Sequence, residues 1–364
     1  MNTVIKRNLA ILLSFILLLA AMNLGEKKAF ADSPVTSTTF YKAYLDLDIV
    51  AKAHKSGFST EIAEFLAAEK NPLDQKAAVM NAIYSSYSWN ERDIVNQYSK
   101  AVYGKPASEL NIKLLRGDEL FVLGYLKVLD HYLEPDTYWI GLASESLPKS
   151  MTVALINALA KSQDSFDLSY CYLERVLADK NLVKDIRQEA IAIITDYIDL
   201  YKKDEGCSDQ VTELMNNSIG LIINKPKALV FGGLQAVDSS NSKVAPYIRK
   251  GVTYVPLVFI SHALGATVQY DKKREEITIR HASLEYMPSR KLVFNLKDAK
   301  NRYEVQNGRA FVPLRAIAEP LRMKVYYSKG LIILSKGIAL HPQLAYDQQL
   351  ANEIRGKIED GKLS

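Results

Sequence analysis

Apolar residues recur at helical spacing from Thr38 to about Tyr201. Tyr41, Tyr44, Leu45 and Leu47 open one face; Ile62, Phe65 and Leu66 mark a second helix, and Val79, Ile83 and Tyr87 a third. Phe121 to Leu129, Val153 to Leu159, Leu168 to Leu177 and Ile186 to Tyr201 continue the period. Breaks fall at Ser56-Gly57, Asn71-Pro72, Gly104-Lys105-Pro106, Glu134-Pro135-Asp136 and Leu147-Pro148, where turn chemistry stops a helix. Ser59 with Glu61 reads as a helix cap. The pattern predicts an all-α array of roughly eight helices over residues 32–216.

After a short helix near 209–216 the texture changes to short β-rich runs, Ile219 to Ile223 and Ala228 to Phe231. Gly232-Gly233 and Asp238 to Lys243 read as loops, and the domain boundary falls near 217. A segment is then written twice. Tyr254-Val255-Pro256-Leu257 matches Phe311-Val312-Pro313-Leu314, and Ile260 and Leu264 match Ile317 and Leu321, at a constant offset of 57.

Each copy predicts a strand, a one-faced helix and a hairpin. In the second, Asn307-Gly308 accepts the positive φ values of a type I′ turn between two strands. Pro313 ends the strand and suits a helix's first turn, where its missing N–H costs nothing. Leu314, Ile317, Ala318 and Leu321 then line one helical face, and Lys324 to Tyr327 and Leu331 to Leu334 return as strands. The first copy repeats this with Leu257, Ile260, Ser261 and Leu264, then Thr267 to Tyr270 and Ile277 to Ile279. So short a unit cannot bury its apolar face alone, so the copies share a core.

The segments TYVPLVFISHALGATVQYD and GRAFVPLRAIAEPLRMKVYY resemble the copper amine oxidase N-terminal-like domain, or stalk domain, over about residues 218–336. The resemblance implies an α+β fold of short antiparallel sheets with helices packed on them. The family is common in exported proteins of Gram-positive bacteria, often joined to unrelated domains. The resemblance therefore implies a domain that is not itself the oxidase and carries neither copper ligands nor quinone. Val258 and His262 stand where the pattern has Arg and Glu, which the second copy keeps as Arg315 and Glu319. Gly265 fits a left-handed helix cap. Arg322 replaces it after Pro320, so the second helix is expected to end early and its cap to differ.

The ends refine the picture. Lys6 and Arg7, an apolar run from Leu9 to Met22 and Ala29-Phe30-Ala31 predict a signal peptide over residues 1–31. That run is short for a bilayer, and no second one exists, so the mature chain is expected to be secreted and free of the membrane. Residues 337–364 form a tail expected to be helical. Cys171 and Cys207 allow one disulfide in such a compartment, with a buried free thiol at Cys171 as the alternative.

Charge divides the chain. Residues 32–220 carry about −9 and residues 221–364 about +11. Lys272, Lys273 and Arg274 occupy one turn of the first copy; Arg322, Lys324 and Lys329 cluster around the corresponding turn of the second. Outside the cell nucleic acid is not the expected target, which leaves an anionic wall polymer or another envelope protein. The alternative is that the basic half docks on the acidic one.

Catalytic signatures are missing. The histidines His54, His131, His262, His281 and His341 form no metal-binding pair, and no cofactor is expected. There is no Asn-Tyr dipeptide, no G-x-S-x-G elbow and no phosphate loop. Cys171 as a nucleophile and Asp46/Asp48 or Asp196/Asp199 as glycosidase carboxylates are weaker readings than core packing and solvated faces. The 21 tyrosines, among them Tyr84, Tyr98, Tyr132, Tyr138 and Tyr172, read mostly as core-edge residues with the hydroxyl at water. Trp89 and Trp139 read as interhelical. The expected protein is a non-catalytic, exported envelope protein with a helical interaction module. The alternative is a hydrolase or lyase of wall or other polymer acting through the helical half.

Overall fold

The computed structural model describes residues 33–85, 93–202, 204, 206–284, 291–295 and 303–361. The signal-peptide reading, Tyr87 and Trp89 lie outside them.

Helices α1 (Pro34–Ser37), α2 (Asp48–Ser56), α3 (Thr60–Ala67), α4 (Leu73–Tyr84) and α5 (Ile94–Tyr103) begin the helical half. Helices α6 (Gly117–Asp130), α7 (Tyr138–Ser146), α8 (Met151–Asp164), α9 (Ser169–Ala178) and α10 (Gln188–Ile198) complete it. Helices α4, α6 and α8 are buried on most of their circumference, so the amphipathic α2, α3, α5, α9 and α10 cover them. Even Lys76 of α4 is fully buried, its Nζ 2.8 Å from Asp118. Ser59 and Ser150 cap α3 and α8 by accepting from the amides of Ile62 and Val153. Asp130, at the end of α6, accepts from the amides of Ile94 and Val95 and so caps α5 from another helix.

Two local expectations are corrected. Residues 40–44 form a 3-10 turn rather than an α-helical face, and Leu45 is exposed. Helix α7 carries no clear apolar period, because Trp139 and the small residues Gly141 and Ala143 fill its buried side. Trp139 accordingly sits in α7, buried, not between helices.

Helices α6 and α7 touch backbone to backbone at Gly124, where a Cβ would lie 2.6 Å from the Ile140 nitrogen and 2.9 Å from the Trp139 carbonyl carbon. Neither atom belongs to a side chain that can swing aside. Gly124→Ala is therefore expected to cost about 1–3 kcal/mol in a urea titration; an unchanged midpoint would refute the close approach.

Helix α11 (Gln210–Asn216), capped by Asp209, leads into three antiparallel sheets. Strands β1 (Ser218–Ile222), β2 (Lys227–Val230) and β3 (Gly233–Ala236) are followed by β4 (Tyr247–Arg249), β5 (Val252–Pro256) and α12 (Leu257–Ala263). Then come β6 (Thr267–Asp271), β7 (Glu276–Arg280), β8 (Leu292–Asn295), β9 (Glu304–Gln306), β10 (Arg309–Pro313) and α13 (Leu314–Ala318). Strands β11 (Lys324–Ser328) and β12 (Leu331–Ser335) and helix α14 (Ala345–Asp360) close the chain. Gly233, read as loop, begins β3, because Phe231 and Gly232 alone make the two-residue turn, both at positive φ.

The duplication is a two-fold arrangement inside one chain. Strands β5 and β10 pair at the centre, and Val255 faces Val312, its own counterpart 57 residues on. Hairpins β4–β5 and β9–β10 turn at Lys250-Gly251 and Asn307-Gly308, all four residues at positive φ. The third strands are exchanged. Strand β1, which precedes the first copy, completes the second copy's β11–β12 hairpin; β8, which precedes the second copy, completes the first copy's β6–β7 hairpin. Among the described residues the hairpin β2–β3 has no counterpart in the second copy, and it extends the five-stranded sheet β11-β12-β1-β2-β3.

The helix caps also agree, against the sequence expectation. Gly265 and Arg322 both lie at positive φ, and the amides of Ala266 and Met323 donate to Ser261 and Ala318 at 2.8 and 3.0 Å. Helix α13 does end two residues sooner than α12. The cap geometry survives without glycine, at a local cost of about 1–2 kcal/mol for an L side chain there.

One apolar core fills the helical half as far as Ile198, and a second, beginning at Ile219, lies between the sheets and α12 and α13. A third sits on the outer face of the five-stranded sheet, covered by α11 and α14.

Candidate functional site

The two halves meet along a polar seam. Cys171 on α9 is bonded to Cys207, just before α11, closing a loop worth about 3–4 kcal/mol on the chain-entropy model. One turn along α9, Arg175 donates to Glu213 at 2.5 Å and to the Ser208 carbonyl at 2.6 Å. Lys324 reaches Asp164 at 2.7 Å. His341 Nε2 lies 2.9 Å from Thr137 Oγ1, and the His341 amide donates to Asp347 at 2.8 Å.

Burial pushes the carboxyls of Asp164, Glu213 and Asp347 above their ordinary range and pulls the His341 imidazole below its own. A cavity of about 30 Å³ between Lys161, Asp164, Tyr172, Glu213 and Asp347 has room for a water and no substrate. Each of these carboxylates is committed to Lys324, Arg175 or a backbone amide, so the seam fastens the halves together. The sequence offered the Cys171–Cys207 bond and docking of the basic half on the acidic one, but not the individual pairs, whose participants are scattered from 137 to 347.

The basic residues separate into different neighbourhoods. Lys272, Lys273 and Arg274 are exposed in the β6–β7 turn, where Asp271 accepts from the amides of Lys273 and Arg274. Lys329 is exposed in the β11–β12 turn, and Arg322 is exposed at the cap of α13. Lys324 departs from the expected cluster: it opens strand β11 and is drawn across the seam to Asp164. The turn holding Lys329 lies instead beside the β1–β2 turn that carries Lys225, since the Ile223 amide donates to Gly330 at 2.9 Å. Arg355 of α14 donates to the carbonyls of Ser328 and Lys329. These neighbours follow from β1 pairing with β12, which no local pattern records.

A groove of about 750 Å³ opens between β3, α12 and the start of β10. Val258, Phe259, His262 and Ala263 supply its helix side, and Gln235, Ala236 and Val237 its strand side. Arg309 closes one end, paired to Asp238 at 2.5 Å and bonded to Ser240 at 2.9 Å. That guanidinium holds the Asp238 carboxyl down at about 2.

The imagined catalytic carboxylates are placed otherwise. Asp46 is gripped by Arg187 at 2.5 and 3.1 Å, Asp48 starts α2, and Asp196 and Asp199 are exposed at the end of α10. Among the described residues no group of three His, Cys, Asp or Glu side chains is placed to hold a metal ion. Several tyrosine hydroxyls are bonded inside the protein rather than at water. Tyr44 donates to Asp74, Tyr84 to Asp130 and Tyr103 to Glu119. No described helix is long and apolar enough to cross a membrane.

A family model described as the copper amine oxidase N-terminal domain matches residues 210–279 and, overlapping, 235–334. This segment carries a copper amine oxidase N-terminal domain. The match spans the C-terminal third and includes both copies of the repeat, all three sheets and the groove. No curated protein and no solved structure matches the chain. The copper amine oxidase N-terminal domain here spends its repeated residues on folding: Leu257, Ile260, Leu314 and Ile317 fill its core, and Arg315 and Glu319 form an exposed pair at 3.2 Å.

Proposed function

We propose that this chain is an exported, non-catalytic protein of a Gram-positive envelope, in which the copper amine oxidase N-terminal domain carries the helical half as an interaction module. The observation that supports it most is the seam. A disulfide and the pairs Arg175–Glu213 and Lys324–Asp164 hold one half on the other, as a carrier holds its cargo. The disulfide fits an oxidising compartment. The carboxylates Asp164, Glu213 and Asp347 have structural partners, which favours a non-catalytic reading.

The exposed cations of the β6–β7 turn, Lys272, Lys273 and Arg274, together with Lys329 and Arg322, supply weak attachment to anionic wall polymer. Lys324 is drawn across the seam to Asp164 and Arg274 lies 3.7 Å from Asp271 in its own turn, so part of the basic excess is neutralised within the chain. Sedimentation of the protein with purified walls across a salt series tests this. Binding is expected near 0.1 M salt and release near 1 M, as the Debye length falls from about 10 to about 3 Å. Replacing Lys272, Lys273 and Arg274 by Gln should lower the bound fraction several-fold. Binding that is absent at low salt, or indifferent to 1 M salt, would rule the attachment out.

A further inference from the structure

The two copies of the repeat share a backbone and differ in what their helices expose. On α13, Arg315 and Glu319 bridge one turn and shield the helix face. The equivalent positions on α12 are Val258, 48 % exposed, and His262, and both line the groove. The opposite wall is β3, part of a hairpin that has no counterpart in the second copy among the described residues. Both departures from the repeat therefore fall on one cavity.

Strand β3 is the last strand of its sheet. Its two-residue turn fixes which of its backbone groups are spent. Val230 faces Gly233 and Ala228 faces Gln235, so Gly233 and Gln235 bond to β2, and the Val237 amide donates to Pro226 at 2.8 Å. Leu234 and Ala236 consequently turn their N–H and C=O outward. Side chains alternate, so Ala236 points its Cβ away from the face shared by Gln235 and Val237. Ala236 lines the groove nonetheless, as its outward-turned backbone edge requires.

We propose that this groove binds an extended peptide segment, neutral or acidic, which adds as a strand to β3 and lays alternate apolar side chains on Val258, Phe259 and Ala263. The open edge supplies main-chain hydrogen bonds and the helix supplies the apolar floor, the two components of strand addition. Charge decides the peptide's character. The groove's own charged pair, Asp238 and Arg309, cancels, and the surrounding half carries about +11, so a basic peptide is disfavoured.

A fluorescein-labelled, end-blocked eight-residue peptide alternating Val with Thr and Glu is the probe, titrated into the protein by fluorescence anisotropy. Saturable binding is expected. The double variant Val258→Arg/His262→Glu reinstates the second copy's pair and should weaken binding about tenfold, equivalent to about 1.4 kcal/mol. Because that pair already sits on α13 in the same backbone, the variant should keep its circular-dichroism spectrum and melting temperature. A second measurement needs no variant: methylating alternate peptide amides should abolish binding in one register and spare it in the other. Absence of saturable binding, equal affinity for the folded double variant, or indifference to both methylation registers would each overturn the proposal.

Discussion

Leu257→Ala and Leu314→Ala are each expected to lower the unfolding free energy by about 2–5 kcal/mol. The two residues hold the same first-turn position on α12 and α13, 57 residues apart, and are 0 % and 4 % exposed. Both project into the single core between the sheets, where Val255, Val312 and Phe311 already pack closely. Truncation there removes dispersion contacts and leaves a void that the two-fold centre has little freedom to fill. Lys272→Ala and Lys329→Ala, in exposed turns, should move stability by less than about 0.5 kcal/mol. Urea titrations of the four variants decide the matter. Indistinguishable midpoints would mean that the copies do not share a core.

A chain stopped at Lys336 is expected to lose more than any of these. Helix α14 and the segment before it bury Leu340, Leu344, Ala351, Ile354 and Ile358, and each large side chain contributes about 1.5–3 kcal/mol. Without them Ile222, Leu229, Leu331 and Ile333 lie bare on the outer face of the five-stranded sheet. The contacts of His341 with Thr137 and of the Tyr346 amide with Glu145 go as well. We expect a melting temperature lower by more than about 10 °C and strong binding of a hydrophobic dye. The milder Ile354→Ala should cost about 2–5 kcal/mol and keep the fold. A truncated chain that melts with the intact one would remove α14 from the account of stability.

Reading the sequence recovered what is local or repeated. The offset of 57 located α12 and α13, the strands on either side and the positive-φ turn at Asn307-Gly308, because each depends on residues within about twenty positions. Helices with a clear apolar stripe, such as α9 and α10, were equally legible. Helix α7 was not, since Trp139 and the small residues on its buried side leave no clean period. The cap at Arg322 was misjudged for another reason: the surrounding strands dictate the backbone there, and a side chain tolerates it at a modest cost.

The sites were harder to read than the fold. Val258 and His262 were visible as departures from the repeat, but a departure gains meaning only when β3 is seen to stand opposite. Lys324 looked like a member of a basic cluster until Asp164, 160 residues earlier in the chain, was found within ion-pair distance. Sequence proximity groups charges by turn; folding regroups them by sheet.

The exchange of third strands sets an order of events. Strand β1 pairs with β12, about 110 residues later, whereas most helical contacts join near neighbours. The helical half can therefore assemble while the sheets are still open, and the sheets close as one late step of high contact order. Neither copy is complete on its own strands. A single copy would keep an unpaired edge and could close it only with a second molecule, as a strand-exchanged dimer; here the second molecule is the rest of the same chain.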